Sequence, residues 1–257
     1  MLAAVLAALA APMPSRGAVA AALRSPAVER LTVKVLAEHP HDPTSFTQGL
    51  LFKDGLLYES TGLYGQSALL AVDPASGAAV RRVDLPADVF GEGLALAGDR
   101  LVQLTWREGK AFAYSRGDFS RLAEYEISDE GWGLTYDGKR FWQSDGSAVL
   151  RQRDPITFRT VAKVAVTQDG TPRANLNELE WVDGVLYANV WMSDDIVRID
   201  PKSGRVTAVI DASGLLAAAE RAGVDVLNGI AYNPTKRIFY LTGKHWPKLF
   251  EVVFVRR

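Results

Sequence analysis

The sequence predicts an all-β protein, a five-bladed β-propeller whose ring is closed by an N-terminal strand completing the last blade. Three observations predict it. Five times a polar or aromatic residue stands before a Gly-Leu-like pair that opens an apolar strand: Gln48-Gly49-Leu50, Glu92-Gly93-Leu94, Trp132-Gly133-Leu134, Asn177-Glu178-Leu179 and Asn228-Gly229-Ile230. The intervals of 44, 40, 45 and 51 residues match the length of one four-stranded blade. Each recurrence leads into a strand, a tight turn and a second strand. The C-terminal repeat stops one strand short, and a spare strand precedes the first.

Taken in order, the chain opens with an apolar run over residues 2–11, then Pro12, Pro14 and the small-residue stretch Ala18-Val19-Ala20. These resemble the h-region and cleavage site of a secretory signal, and the run is too short to span a bilayer. No Lys or Arg precedes Arg16, so the usual basic n-region is missing. Residues 1–22 are expected to be a signal peptide and 23–257 a single catalytic propeller domain, secreted or periplasmic, with no membrane integration of the mature protein. Leu31 to Ala37 alternates as a strand does. In the first repeat Asp54-Gly55 separates two apolar runs, a hairpin signal because glycine supplies the positive φ that a two-residue turn needs. Gly98-Asp99, Asp137-Gly138, Asp183-Gly184 and Asn233-Pro234-Thr235-Lys236 serve the later repeats. Third strands end in Asp73-Pro74, Asp154-Pro155 and Asp200-Pro201, corners where Pro fixes φ and the Asp side chain caps the loop. Ala212 to Ala222 is rich in helix formers and ends at Gly223, so a helical insertion is expected there. Leu249 to Val255 gives the last repeat a third strand but no fourth, which Leu31 to Ala37 is placed to supply.

Composition narrows function. Of 257 residues, 48% are hydrophobic and 23% charged, enough for a full core. With a net charge of −1 and 29 scattered Lys and Arg, no footprint for nucleic acid or an anionic membrane is present. The absence of cysteine removes disulfides, thiolate metal sites and cysteine nucleophiles. His39 and His41 share a face of an extended segment but lack a third ligand at metal spacing, and read as polar residues at a blade entrance.

Innermost strands of a propeller start at the mouth of the central channel, so Gln48, Glu92, Trp132, Asn177 and Asn228 should form a ring there. Trp106 follows Glu92 by 14 residues, Trp191 follows Asn177 by 14 and Lys244 follows Asn228 by 16, which returns each to the same face at the end of the second strand. Position alone leaves each Trp divided between packing and pocket wall. Glu92 is different, since a carboxylate beside indoles is desolvated and its pKa rises toward the range useful for proton transfer. Glu178 and Glu180 lie on one face, opposite Asn177, and read as blade-to-blade hydrogen-bonding groups.

Several longer motifs resemble the plant-type glutaminyl-peptide cyclotransferases: His41-Asp42-Pro43-x-x-Phe46-Thr47-Gln48-Gly49-Leu50, Phe90-Gly91-Glu92-Gly93-Leu94, Glu130-Gly131-Trp132-Gly133-Leu134-Thr135, Asn177-Glu178-Leu179-Glu180, Leu227-Asn228-Gly229-Ile230-Ala231 and Thr242-Gly243-Lys244-His245-Trp246-Pro247-Lys248. The resemblance runs from about Leu31 to the C-terminus. It implies a five-bladed enzyme without cofactor, unrelated to the zinc-dependent animal enzyme, acting as a monomer on peptides and proteins with N-terminal glutamine. It implies Glu92 as catalytic acid/base, with Lys244, Gln48 and Asn177, or an indole N–H, as candidates to stabilise the amide oxygen. Phe46, Phe90, Trp106, Trp132 and Trp191 become substrate-binding walls. Departures fall on the rim: His245 follows Lys244, and Met192-Ser193-Asp194-Asp195 follows Trp191. Two other readings remain: a metal-dependent lactonase or esterase holding calcium through Glu92, Asn177 and Asn228, and a propeller that only binds proteins.

Overall fold

A computed structural model describes residues 27–257; the segment read as a signal peptide lies outside them. The chain enters through β1 (Glu29–Pro40), longer at both ends than the alternation suggests. Three antiparallel four-stranded meanders follow. The first holds β2 (Thr47–Lys53), β3 (Leu56–Thr61), β4 (Ala68–Val72) and β5 (Ala79–Asp84). The second holds β6 (Gly91–Ala97), β7 (Arg100–Thr105), β8 (Lys110–Ser115) and β9 (Arg121–Glu126). The third holds β10 (Leu134–Tyr136), β11 (Phe141–Gln143), β12 (Val149–Arg153) and β13 (Thr160–Ala165). A short hairpin of β14 (Thr167–Gln168) and β15 (Thr171–Pro172) leads to β16 (Leu176–Val182), β17 (Val185–Val190), β18 (Asp195–Ile199) and β19 (Val206–Asp211). The last strands are β20 (Leu227–Asn233), β21 (Ile238–Gly243) and β22 (Lys248–Arg256). β1 pairs antiparallel with β22, from Leu31 opposite Arg256 to Pro40 opposite Lys248, and parallel with β19 over Glu29–Thr32. That double pairing joins the last two meanders into one eight-stranded sheet.

Local chemistry accounts for the turns and corners. Asp54 and Gly55, like Asp183 and Gly184, both take positive φ, the geometry whose twist matches a two-residue hairpin. At the corners the Asp73 carboxylate accepts the Ala75 N–H at 2.9 Å, Asp154 the Ile156 N–H at 3.0 Å and Asp200 the Lys202 N–H at 3.0 Å. The expected helix over Ala212 to Ala222 does not form. Only Ala218–Glu220 makes a 3-10 turn, because Leu215 and Leu216 are drawn into the core and Gly214 and Gly223 turn the chain at positive φ on either side. Tertiary burial overrides helix propensity in so short a segment.

Five apolar clusters fill the spaces between successive meanders. Leu51, Leu94 and Phe112 lie between the first and second, Leu104, Leu134 and Phe141 between the second and third, and Leu150, Leu179 and Val197 between the third and fourth. Ile196, Ile230 and Phe250 follow, and Leu50, Leu70 and Tyr240 pack the last meander on the first. The first strands adjoin in the order β2, β6, β10, β16, β20, with β20 against β2.

The repeated glycine is a packing requirement of those first strands. A Cβ on Gly49 would stand 2.5 Å from the Leu94 nitrogen, on Gly93 2.5 Å from the Leu134 nitrogen, and on Gly133 2.0 Å from the Asn177 carbonyl. The fourth repeat carries Glu178 instead. Its carboxylate reaches across to accept the Leu50 N–H at 3.3 Å and the Ile230 N–H at 2.9 Å, beside Gly49 and Gly229. Glu180 likewise accepts the Tyr232 N–H at 2.9 Å, so both carboxyls join strands as the sequence suggested.

Candidate active site

Four of the five motifs sit in β-bulges. Register slips between Thr47 and Gly49, Gly91 and Leu94, Leu176 and Leu179, and Leu227 and Ile230. A bulge re-aims one side chain out of the alternation, and here it turns Gln48, Glu92, Asn177 and Asn228 away from the sheet-packing direction. Second-strand ends then lock the motifs to their neighbours. The Ser60 hydroxyl donates to the Glu92 carbonyl, the Ser144 hydroxyl to the Asn177 carbonyl at 2.6 Å, and the Gly229 N–H to Asn189 Oδ1 at 2.9 Å.

One cavity of about 530 Å³ collects all nine residues named from the sequence: Phe46, Gln48, Phe90, Glu92, Trp106, Trp132, Asn177, Trp191 and Lys244. Glu92 is buried, and its Oε1 accepts a hydrogen bond from Gln48 Nε2 at 3.0 Å. Gln48 Oε1 in turn accepts from Asn228 Nδ2 at 3.2 Å, and the same nitrogen donates to the Thr47 carbonyl at 2.9 Å. Asn228 does not line the cavity. It fixes which way the Gln48 amide faces, so that an N–H points at the carboxyl group. Glu92 Oε2 and Asn177 Oδ1 are buried without a protein partner. Both are left unpaired in residues that line the cavity.

Burial pushes the Glu92 carboxyl well above the ordinary carboxylate value; the Lys244 ammonium opposes the rise and the charges of Glu108 and Glu130 add to it. Lys244 is lowered by burial against the pull of Glu92 and Asp225. Its Nζ stands 4.8 Å from the Phe46 ring centroid, where the ring face replaces part of the lost hydration. The loop that carries Lys244 is stapled to the segment carrying Phe46 and Gln48. His41 holds the Trp246 carbonyl at 2.7 Å through Nδ1 and Glu59 at 3.2 Å through Nε2, Thr47 donates to Glu59 at 2.7 Å, and the His245 N–H donates to the Ser45 carbonyl at 2.8 Å. Burial alone would lower the His41 pKa, and the Glu59 charge and hydrogen bond, with the Trp246 carbonyl and Asp42, raise it above the ordinary imidazole value. His41 therefore reads as a structural clasp.

Aromatic walls complete the pocket. Phe90 meets Trp106 at 5.4 Å and Phe46 edge-on at 6.1 Å, and Trp132 meets Trp191 edge-on at 5.5 Å. Four further lining residues went unnamed as site residues in the sequence reading: Leu63, Arg107, Glu130 and Asp225. Glu130 matters most. Its Oε2 accepts the indole N–H of Trp106 at 3.1 Å and of Trp132 at 3.2 Å, and its Oε1 accepts Arg107 Nε at 2.9 Å. Arg107 also lies over the Trp106 ring at 3.8 Å. Burial would raise the Glu130 pKa, but donation from Trp132, Arg107 and Trp106 holds the carboxyl below its usual value. These two indoles are therefore committed to Glu130 and are not free to donate to a substrate oxygen. Glu130 was findable: it stands two residues before Trp132, as Phe46 stands before Gln48 and Phe90 before Glu92.

A high-pKa carboxyl with one unpaired oxygen, a buried ammonium and an indole-walled cavity are the features of a site suited to proton transfer. Comparison makes the class particular. The glutamine cyclotransferase family model matches residues 3–254, and the chain belongs to that family. It is 42% identical over 226 residues to the glutaminyl-peptide cyclotransferase of Arabidopsis thaliana, covering 86% of this chain and 70% of that one. The crystal structure of Myxococcus xanthus glutaminyl cyclase superposes with a TM-score of 0.81 at 40% identity, covering 90% of this chain and 99% of that one.

Proposed function

We propose that the protein is a glutaminyl-peptide cyclotransferase: it converts the N-terminal glutamine of peptides and proteins to pyroglutamate and releases ammonia. The observation that carries the chemistry is Glu92, a buried carboxyl held by Gln48 on one oxygen and open on the other. In the reaction the α-amino nitrogen attacks the side-chain amide carbon, the N–C bond of the lactam forms, the bond to the amide nitrogen breaks, and one proton passes from the attacking to the departing nitrogen. Both reacting groups belong to one residue, so the site must fix a reactive conformer and move that proton. Glu92 accepts it as carboxylate and returns it as acid, a role its raised pKa suits. Lys244, the NH2 group of Asn177 and the second N–H of Gln48 are the donors for the charge that grows on the amide oxygen, while Phe46, Phe90, Trp106, Trp132 and Trp191 exclude water that would hydrolyse the amide. Mass spectrometry of a Gln-initiated peptide, with chelator present, should show loss of ammonia, and Glu92→Gln should abolish it. Intact turnover in that variant would remove Glu92 from the mechanism.

The fold that supports this reading is a five-bladed propeller closed by β1. Its support is the cyclic order of first strands, the five interleaved apolar clusters and the pairing of β1 with β22. The lactonase alternative needs Glu92, Asn177 and Asn228 around one cavity, but Asn228 faces Gln48 from behind the wall. Export and a monomeric state belong to the same proposal; N-terminal sequencing of the secreted protein and its sedimentation test them.

A further inference from the structure

The segment after Trp191, where the sequence departs from the family it resembles, and the long connection before Asn228, where it departs from its own repeat, meet in space. Met192, Ser193 and Asp194 from the β17–β18 loop and Leu216, Arg221 and Asp225 from the β19–β20 connection line a second cavity of about 310 Å³. Asp225 lines both this cavity and the reaction pocket. Trp191, on the wall of the reaction pocket, is followed at once by Met192, which turns outward at a φ of 64° and is 69% exposed. The two depressions are therefore contiguous, with Asp225 as the ridge between them.

This second cavity is built rather than incidental. Its base is the buried Leu216 and Trp246, whose indole donates to the Asp225 carbonyl at 3.0 Å. The Ala212 N–H donates to the Asp194 carbonyl at 3.0 Å, tying the two segments together, and Arg221 pairs with Asp194 at 3.5 Å. That pairing neutralises Asp194. The Asp225 carboxylate accepts the neighbouring Val226 N–H at 2.6 Å, and its charge acts on the buried Lys244 on the reaction-pocket side, outside ion-pair contact. The cavity thus offers apolar walls and, on the side nearest the reaction pocket, one carboxylate held in no direct ion pair.

We propose that this cavity is a subsite for the side chain of the first or second residue after the cyclising glutamine, and that it selects a basic residue, Lys or Arg. The inference rests on the cyclotransferase reading above. A peptide whose glutamine fills the reaction pocket must leave over its rim, and an extended chain advances about 3.5 Å per residue, so those residues pass the Asp225 ridge. Lys and Arg carry a long apolar stem that covers Met192 and Leu216 while the charged head reaches Asp225. An acidic side chain meets like charge there.

The test measures ammonia release from peptides Gln-Xaa-Xaa-Ala-Ala-Ala with Xaa as Ala, Leu, Lys or Glu, read as ratios of kcat/KM within one enzyme. The wild type should favour Lys over Glu by about five- to tenfold, as expected for one partly exposed pair gained against one repulsion, and the ratio should shrink with added salt. Asp225→Asn should bring the Lys-to-Glu ratio to within about twofold. Met192→Ala should lower the Leu-to-Ala ratio, and it reads the apolar wall independently should the Asp225 variant fold poorly. Equal kcat/KM across the series, with turnover intact, would overturn the subsite alone. Release from no peptide would overturn the cyclotransferase reading and the subsite with it.

Discussion

Replacing Glu130 by Gln probes a residue that touches no reacting atom in the proposed chemistry yet fixes two walls of the pocket. The substitution keeps volume and one acceptor oxygen but removes the charge: the amide oxygen can hold both indole donors at the one position they share only by turning its NH2 toward the Arg107 guanidinium. Hydrogen bonds to a charged group are each worth about 1.5–3 kcal/mol when buried. The Glu130 side chain is 39% exposed and its Arg107 partner 59%, so that pair is worth well under about 1 kcal/mol. Two indole bonds weakened from a charged to a neutral acceptor then amount to about 1–3 kcal/mol, or about 5- to 150-fold in kcat/KM. Steady-state ammonia release from a Gln-initiated peptide measures this, with KM expected to rise as Trp106 and Trp132 lose their fixed orientation. Tryptophan emission read alongside should shift as the indole N–H groups change partner. A Glu130→Gln enzyme within twofold of wild type, with unchanged emission, would refute the reasoning. It would show that ring packing against Phe90 and Trp191 alone holds the walls.

Three further outcomes are expected. Because in the proposed reaction Glu92 accepts the proton as a carboxylate and burial favours its neutral form, the acid limb of kcat/KM should lie above the ordinary value of 4.5, and Lys244→Met should move it higher by removing the ammonium field. Gly133→Ala should destabilise by more than about 3 kcal/mol in urea unfolding, since its Cβ would meet the Asn177 carbonyl at 2.0 Å, while Gly117→Ala, with nothing nearer than 3.6 Å, should stay within about 0.5 kcal/mol. Burial pushes Glu180 up to about 8, so the folded state holds an extra proton between 4.5 and about 8 and loses stability as pH rises through that window. The urea midpoint should fall from about pH 5 to about pH 9, and Glu180→Gln should flatten the part of that fall not due to Glu178 and Glu92.

What was legible in the sequence followed from repetition. The recurring motif fell on a bulge in four of its five occurrences, and the 14- and 16-residue offsets brought Trp106, Trp191 and Lys244 to the same mouth, because a strand, a turn and a returning strand have fixed lengths. Glu130 escaped because an acidic residue beside a tryptophan reads as surface until its two indole donors are seen. Ala212 to Ala222 misled because propensity is local, whereas Leu215 and Leu216 answer to a core assembled from β1, β18 and β20. Asp225 gave no signal at all, since it lies outside every repeat.

By itself, then, the sequence determined the strands, their turns and seven of the nine side chains that share a cavity, since period, turn chemistry and glycine placement are properties of neighbouring residues; Phe46 and Phe90 came from the resemblance of their motifs to the family. Only the tertiary structure decided how those side chains divide the work. Which oxygen of Glu92 is held and why Glu178 stands where four repeats carry glycine depend on hydrogen bonds between residues 44 to 180 positions apart, and the commitment of two indoles to Glu130 needs Trp106, 24 positions away, brought beside Trp132. Burial, which sets the pKa of Glu92 and Lys244, exists only once those distant strands have met.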